Sequence, residues 1–149
     1  MSGAAFGTGT PTGACPCGSL LAYAVCCGPL LAGERPAATA EALMRSRYTA
    51  FALGDEAYLV RTWHPRTRPD RIGLDAGVRW TGLDVRRSER GGPDDEDGVV
   101  EFVASWTDVD GSVDGSVDGS VDGSTGRLHE VSRFTRRAGR WVYLDGEHR

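Results

Sequence analysis

The sequence lacks the features of a secreted or membrane-inserted protein. No apolar run approaches the roughly 20 residues that a membrane span needs, and residues 1–14 have neither the basic start nor the apolar stretch of a signal peptide. We therefore expect a cytoplasmic protein without a membrane partner. Because the cytosol is reducing, cysteines there are more often metal ligands or reactive thiols than disulfides.

Lysine is absent, and the charge balance is acidic. All 17 basic residues are arginine, and the net charge is −4. This balance makes a weak case for binding free nucleic acid, because non-specific nucleic-acid binding depends on positive surface. We interpret the missing lysine first as a high-GC coding bias and only second as a binding device.

Recognisable catalytic motifs are also missing. The sequence contains no Ser-X-X-Lys, no Gly-X-Ser-X-Gly, no phosphate-cradling glycine loop and no His-Glu-X-X-His. Of the 149 residues, 40% are hydrophobic and 26% are charged, which is typical of a globular chain with one sizeable core. One ordinary domain with a small appendage is therefore expected.

Cysteine is confined to one short stretch near the start of the chain. It contains Cys15, Cys17, Cys26 and Cys27, and the rest of the sequence has none. Four thiolates in two close pairs suit the tetrahedral coordination of a zinc ion, and a site closed by four ligands is structural rather than catalytic. The sequence therefore predicts one structural zinc ion.

The residues between the two cysteine pairs predict a short helix. Ser19 is a plausible N-cap, the helix would run through Leu20–Val25, and Gly28-Pro29 would end it. Such a helix would return the second pair to the first. Disulfides suit this spacing badly, because adjacent cysteines cannot pair without strain. A redox-active or disulfide-bonded set and unligated thiols remain the alternatives to zinc.

The order CPCGS, then Tyr23, then the pair of adjacent cysteines resembles the SEC-C motif. That motif is the small zinc-binding module at the C-terminus of the SecA translocation ATPase and in many other bacterial proteins. The resemblance implies a SEC-C module over residues 14–33, after a disordered tail over residues 1–13. In SecA, basic residues of the module help to bind an acidic chaperone, but Leu20, Leu21 and Ala22 here replace a glycine and basic residues. We expect its apolar side chains to pack the module onto the main domain: Leu20, Leu21, Val25, Leu30 and Leu31.

The rest of the chain has helix signals first and strand signals afterwards. A helix is predicted over residues 39–53, with Thr39 as its N-cap and Gly54 as its end. A second, short helix begins after Asp55 and ends by Pro65. Alternation of apolar residues predicts strands at Val78–Arg87, Val99–Thr107, Arg127–Arg137 and Arg140–Leu144. The order predicts an α+β fold, with N-terminal helices packed on a curved antiparallel sheet of about four strands.

The tetrapeptide VDGS occurs four times in tandem, from Val109 to Ser124. Its period fits neither the twelve-residue loop of an EF-hand nor the nine-residue calcium repeat of β-helices. Glycine, serine and aspartate at this density favour a flexible, solvated loop. We place that loop at 108–125, between the second and third strands, with weak metal binding as a minor alternative.

A second resemblance covers about residues 14–146. It rests on the blocks TAEALMRSRYTAFALGDEAYLVRTWHPRTRP, VVEFVASW, LHEVSRF and RWVYLDG, which resemble the YchJ family of small bacterial proteins. In that family a SEC-C module precedes a cone-shaped domain of the nuclear-transport-factor-2-like type. The resemblance implies this domain over residues 38–146 and a bound zinc ion, but it implies no reaction.

Cones of this type often hold a pocket between the helices and the sheet. Its candidate residues here are polar or aromatic: Arg47, Tyr48, Trp63, His64, Trp80, Glu130 and Arg133. His64 could serve as a general acid or base, although a histidine at a helix end more often caps carbonyls. Glu130 is more often an ion-pair partner, of Arg47 or Arg133. The neighbouring His129 points to the opposite face of its strand.

Three functions stay open at this point. The preferred one is a non-enzymatic zinc-binding protein whose SEC-C module and cone-shaped domain bind a protein or a nucleoprotein complex, with a homodimer as a further arrangement. The second is an enzyme or small-molecule binder that uses the cone pocket, which a deep cavity holding His64 or Glu130 would favour. The third is a thiol and zinc redox sensor.

Overall fold

The computed structural model describes residues 13–108 and 125–149. The predictions of a disordered tail and of a flexible VDGS loop therefore fall almost entirely on residues outside the described ranges. Within those ranges, no helix is long and apolar enough to cross a membrane.

The first half of the chain is helical. A 3-10 helix at Tyr23–Val25 leads into three α-helices, which are α1 (Cys27–Leu31), α2 (Ala40–Leu53) and α3 (Glu56–Arg61). Helix α2 is the longest of them and packs against both α1 and the sheet. It therefore lies between the cysteine-rich segment and the rest of the fold.

Local capping sets the ends of α2 and the start of α3, as the sequence predicts. Thr39 Oγ1 accepts a hydrogen bond from the Ala42 N–H at 3.0 Å, and Gly54 takes the left-handed conformation, with φ 78°, directly after the last turn of α2. Asp55 Oδ1 accepts from the Tyr58 N–H at 3.0 Å and caps α3.

The second half of the chain is one antiparallel sheet. Its strands are β1 (Val78–Arg90), β2 (Asp97–Asp108), β3 (Thr125–Arg137) and β4 (Arg140–His148), and they lie side by side in chain order. The predicted fold class, helices on a four-stranded antiparallel sheet, is therefore confirmed. Register shifts in β1 and between β3 and β4 mark bulges, which bend strands and increase their twist.

Helix α3 ends before Pro65 because the chain that follows it pairs with β4. The Tyr143 N–H donates to Thr62 O, and the His64 N–H donates to Tyr143 O, each at 2.8 Å. This short parallel bridge replaces the last helical turn that the sequence predicts, and it brings Trp63 against the sheet.

One continuous core joins the cysteine-rich segment to the sheet. Phe102 of β2 and Phe134 of β3 are 6% and 2% exposed, and α2 covers them with its own apolar residues. The buried cysteines, Tyr23 and Leu30 belong to the same cluster. The segment is thus part of the domain's core, although it reads in the sequence as a separate appendage.

Candidate functional site

The four cysteine side chains converge. Their Sγ atoms all lie within 4.8 Å of one another, with 3.7 Å between Cys17 and Cys26 and 4.0 Å between Cys26 and Cys27. Zinc–sulfur bonds of about 2.3 Å put the sulfurs of a regular tetrahedron about 3.8 Å apart. The thiols therefore fit a tetrahedral metal ion, and they are too far apart for disulfides, whose sulfurs lie about 2.05 Å from each other.

The chain between the cysteine pairs is helical over only part of the predicted range, in the 3-10 helix Tyr23–Val25. Ser19 caps no helix, because its Oγ lies 3.2 Å from Cys26 Sγ and accepts the Leu21 N–H at 3.1 Å. Leu20 turns the chain with a left-handed φ of 75°. Ser19 is therefore a polar neighbour of the thiol cluster.

The predicted helix stop is also wrong, because Gly28 and Pro29 lie inside α1. Proline is tolerated there, since the first turn of a helix has N–H groups that need no partner within the helix. A Cβ on Gly28 would lie 2.8 Å from Tyr23 O and 3.1 Å from the Tyr23 ring. Glycine is thus the residue that lets α1 start directly under the Tyr23 turn.

Two residues of α2 contact the cysteine segment. Thr49 Oγ1 lies 3.8 Å from Cys15 Sγ, and Arg45 Nη1 donates to Cys17 O at 2.8 Å. Cys17 and Cys27 are 0% and 1% exposed. The sequence carries no local signal for these contacts, because Arg45 and Thr49 lie far along the chain from the cysteines.

The thiols also perturb one another electrostatically. Hydrogen bonds from Cys15 and Cys27 hold the pKa of Cys17 below that of an ordinary thiol, which favours a thiolate there. The same kind of bond, with Cys15, raises the pKa of Cys27, and burial raises the pKa of Cys26. A divalent cation bound by these four sulfurs would displace the protons that the thiols carry.

A second candidate site lies inside the cone. A cavity of about 320 Å³ opens between α2 and the concave face of the sheet. Among the residues that line it are several predicted pocket residues: Arg47, Tyr48, Trp63, Trp80 and Glu130. Tyr143 and Ser132 line it too, although no pattern in the sequence predicts them as pocket residues.

Two of the predicted pocket residues lie elsewhere. His64 sits in the turn after α3, where its Nδ1 accepts the Arg66 N–H at 3.0 Å and burial lowers its pKa. Arg133 is exposed and pairs with Asp145, with 2.7 Å between Nε and Oδ1. Neither residue borders the cavity.

Glu130 forms no ion pair with Arg47 or Arg133 in the described part of the chain. Instead, Ser132 Oγ and Tyr143 OH donate to its Oε2 at 2.7 Å and 2.9 Å. The Nε2 atom of His148 lies 3.3 Å from the other oxygen, Oε1. Burial raises the pKa of Tyr143, so its hydroxyl stays a donor.

His129, next to Glu130, points to the outer face of the sheet, as the alternation predicts. Its Nε2 lies 2.7 Å from Glu101 Oε2. The hydrogen bond with His129, and a second one from Arg87, lower the pKa of Glu101. This network lies outside the cone and has no part in the cavity.

Comparison with protein families connects the two sites to one group of proteins. Residues 39–146 match the family described as "YchJ, middle NTF2-like domain", and residues 14–29 match the SEC-C motif. The chain belongs to the YchJ family. The resemblance found in the sequence is thereby confirmed.

Relatives within the YchJ family are similar over nearly their whole length. A UPF0225 protein of Streptomyces coelicolor is 49% identical over 137 residues, which cover 92% of this chain and 97% of the relative. A UPF0225 protein of Deinococcus radiodurans is 48% identical over 131 residues, which cover 88% of this chain and 86% of the relative.

Two solved structures resemble this YchJ-family chain. The solution structure of a SEC-C motif containing protein from Rhodopseudomonas palustris has a TM-score of 0.69 and 38% identity, and the match covers 90% of this chain and 97% of that one. The crystal structure of a SEC-C motif containing protein from Psychrobacter arcticus has a TM-score of 0.65 and 29% identity, with 89% and 80% covered.

Proposed function

We propose that this protein is a non-enzymatic, zinc-binding protein of the cytoplasm that docks on another protein through its SEC-C module. The observation that carries the proposal is an exposed apolar face on the module, formed by Leu20, Leu21 and Val25, which are 88%, 53% and 60% exposed. The thiol cluster and α2 hold this face in a fixed position.

Zinc is the metal that suits the donor set. Four cysteine sulfurs at tetrahedral spacing are soft ligands of the kind that structural zinc sites use. Cys15, Cys17, Cys26 and Cys27 would complete the coordination shell, and no open position would remain for a substrate. In this role the metal fixes the loop and supplies no chemistry.

The sequence predicts that the apolar side chains of the module pack onto the main domain, and this is wrong for the three that form the apolar face. Leu30 is buried at 8% exposure, as expected for a residue that packs the module onto the domain, but Leu20, Leu21 and Val25 point outwards. They are the large hydrophobic side chains that stand exposed in the described part of the chain. Exposed apolar side chains within six residues of one another are typical of interaction surfaces.

The chemistry of the module favours a protein partner over a nucleic acid. Residues 14–33 contain no charged side chain, so the module offers nothing to neutralise phosphate groups. An uncharged apolar face fits the apolar centre of a protein–protein interface, from which charged residues are depleted. We therefore choose a protein over a nucleoprotein complex.

The backbone at Leu20 supports the same interpretation. A left-handed conformation costs a leucine about 1–2 kcal/mol, and the 88% exposed side chain recovers little of that cost by packing within this chain. Glycine or asparagine would suit the turn better. A contact with a partner protein would explain why an exposed leucine occupies this strained position.

The test is a variant that keeps the fold and removes two of the three side chains of the apolar face. Leu20→Asn suits the left-handed backbone and Val25→Thr preserves the shape of the side chain, so we expect the double variant to keep its metal content and melting temperature. Proteins captured by the wild-type chain are purified, and the affinity of each is measured for the wild-type chain and for the variant. Val131→Thr on the outer sheet face serves as the control.

We expect a stoichiometric partner that binds the wild-type chain and the control equally and the double variant at least roughly tenfold more weakly, which corresponds to about 1.4 kcal/mol. Equal binding by the double variant would overturn the proposal. Release of the captured proteins by nuclease would also overturn the proposal, because it would show that nucleic acid mediates the binding. A dimer in sedimentation that the double variant loses would reassign the face to self-association.

A further inference from the structure

Arg47 is buried in the wall of the cone cavity and is fixed there at one end. Its side chain is 6% exposed, and its Nη1 donates to Leu59 O at 3.0 Å and to Thr62 Oγ1 at 2.7 Å. Its guanidinium lies 4.8 Å from the centroid of the Trp63 ring and 4.7 Å from that of Tyr143. These contacts fix the position of the Arg47 guanidinium.

The charge of Arg47 has no counter-ion in contact. Among the described residues, no carboxylate lies within 4.0 Å of its nitrogens, and its Nε and Nη2 groups donate to no acceptor. Burial lowers the pKa of Arg47 to about 10, so the group is still a cation at neutral pH. A buried cation without a paired anion is strongly unfavourable.

A second unpaired donor lies beside it. Trp63 Nε1 is buried and has no hydrogen-bond acceptor in the described part of the chain, and Trp63 borders the same cavity. Buried donors are almost always paired in native proteins. Arg47 and Trp63, which both line the cavity, therefore each carry a donor that has no acceptor in the described part of the chain.

Glu130 lines the same cavity and its charge favours the cationic form of Arg47, but it does not supply that acceptor. Its carboxylate already accepts from Ser132 and Tyr143 and faces His148. Because these groups satisfy it, Glu130 also gives little reason for a cationic ligand. The remaining wall is mostly apolar and aromatic, with Trp80 and Phe102 among its residues.

We infer that the cone cavity binds a small monocarboxylic acid, whose carboxylate accepts from the Nε and Nη2 groups of Arg47 and whose apolar body lies against the aromatic wall. The planar fork of a guanidinium matches a carboxylate in two parallel hydrogen bonds. The volume of about 320 Å³ is at the lower end of small-molecule pockets, so the acid is small. This site is independent of the docking face on the SEC-C module.

Three probes of one shape and different charge test the inference on the full, metal-loaded chain. They are phenylacetate, phenylacetamide and 2-phenylethylamine, and titration calorimetry measures the affinity of each. We expect phenylacetate to bind at least roughly thirtyfold more tightly than the other two, the lower bound for removing one partner of a buried charge pair. The indole N–H resonance of Trp63, assigned with Trp63→Phe, should move on addition of phenylacetate.

Variants locate the binding. Arg47→Met removes the cation and keeps an unbranched apolar chain, and we expect it to lose the preference for phenylacetate over phenylacetamide. Arg133→Met removes an arginine outside the cavity and should bind like the wild type. Ala104→Leu partly fills the cavity without touching the charge, and it should weaken phenylacetate and phenylacetamide alike.

Several results would overturn the inference. Tighter binding of 2-phenylethylamine would show that the cavity selects cations, and equal affinity for the three probes would show that Arg47 does not select at all. Absence of binding of all three at millimolar concentration to a folded wild-type chain would also count against it. The comparison of probes needs only the wild type, so it holds even where Arg47→Met fails to fold.

Discussion

Removal of the metal should destabilise the whole chain and not the SEC-C module alone. The thiols of Cys17 and Cys27 are completely buried in the same core as α2, and Thr49 and Arg45 of α2 contact the cysteine segment. Loss of the metal would leave four thiols, three of them buried, without the ion that connects them. We therefore expect the apo chain to melt in one transition, at a lower temperature than the metal-loaded chain.

The size of the effect follows from binding linkage. With free zinc held about a thousandfold above its Kd, a ligand that binds only the folded chain adds about 4 kcal/mol of stability. A chain of this length loses roughly 2–4 °C of Tm for each kcal/mol. Removal of zinc should therefore lower Tm by roughly 8–16 °C.

Differential scanning calorimetry before and after treatment with a chelator measures this shift, together with elemental analysis of the protein. Cys27→Ser serves as the control, since a chelator should have little further effect on a chain that has already lost its site. Two transitions, with the upper one at the Tm of the metal-loaded chain, would show that the module and the cone unfold independently. That result would refute the reasoning from the shared core.

Two further predictions concern single side chains. Gly28→Ala places a methyl group against Tyr23 O, and we expect it to cost about 1–3 kcal/mol and to weaken metal retention, whereas Gly73→Ala, with nothing within 4 Å, should change Tm little. The hydrogen bond from Arg133 lowers the pKa of Asp145, so the pair stabilises the fold above the unfolded pKa of the carboxyl and loses this effect as pH falls through the folded pKa. Because both side chains are largely exposed, the ion pair adds less than about 1 kcal/mol to the free energy of unfolding. Denaturant titrations should show that Asp145→Asn is less stable than the wild type at neutral pH and equally stable in acid. A loss of stability that does not depend on pH would contradict this.

Local signals in the sequence predict most of the helical part of the fold. Thr39, Gly54 and Asp55 act on groups a few residues away, so their roles can be read from the sequence alone. Strand β4 shows the limit, because it continues from the predicted Leu144 to His148. That extension comes from pairing with β3, which no local pattern encodes.

The thiol cluster could be predicted from cysteine spacing, but its surroundings could not. The contacts from Arg45 and Thr49 depend on how α2 packs under the cysteines. Apolar character alone misled the prediction for Leu20 and Val25, because Tyr23 and the cysteines themselves already fill the interior of the module. An apolar side chain shows its role only once its neighbours are known.

The predicted pocket residues also include some that the structure confirms and some that lie elsewhere. Residue type alone predicts Arg47 and Trp80 as pocket residues, and both line the cavity. Residue type also predicts His64 as a pocket residue, but its backbone pairs with Tyr143 and its side chain does not line the cavity. The importance of Tyr143 depends on that bridge and on its bond to Glu130, both of which are long-range contacts.

Helix α2 also separates the thiol cluster from the cavity, so the two lie on either side of one helix. Arg45 and Thr49 face the thiols, while Arg47 and Tyr48 face the cavity. A tilt or rotation of α2 would therefore alter the distances between side chains in the thiol cluster and in the cavity at the same time. Coupling of this kind is reciprocal by thermodynamic necessity: if binding of the metal raises the affinity for an acid, then binding of the acid raises the affinity for the metal by the same factor.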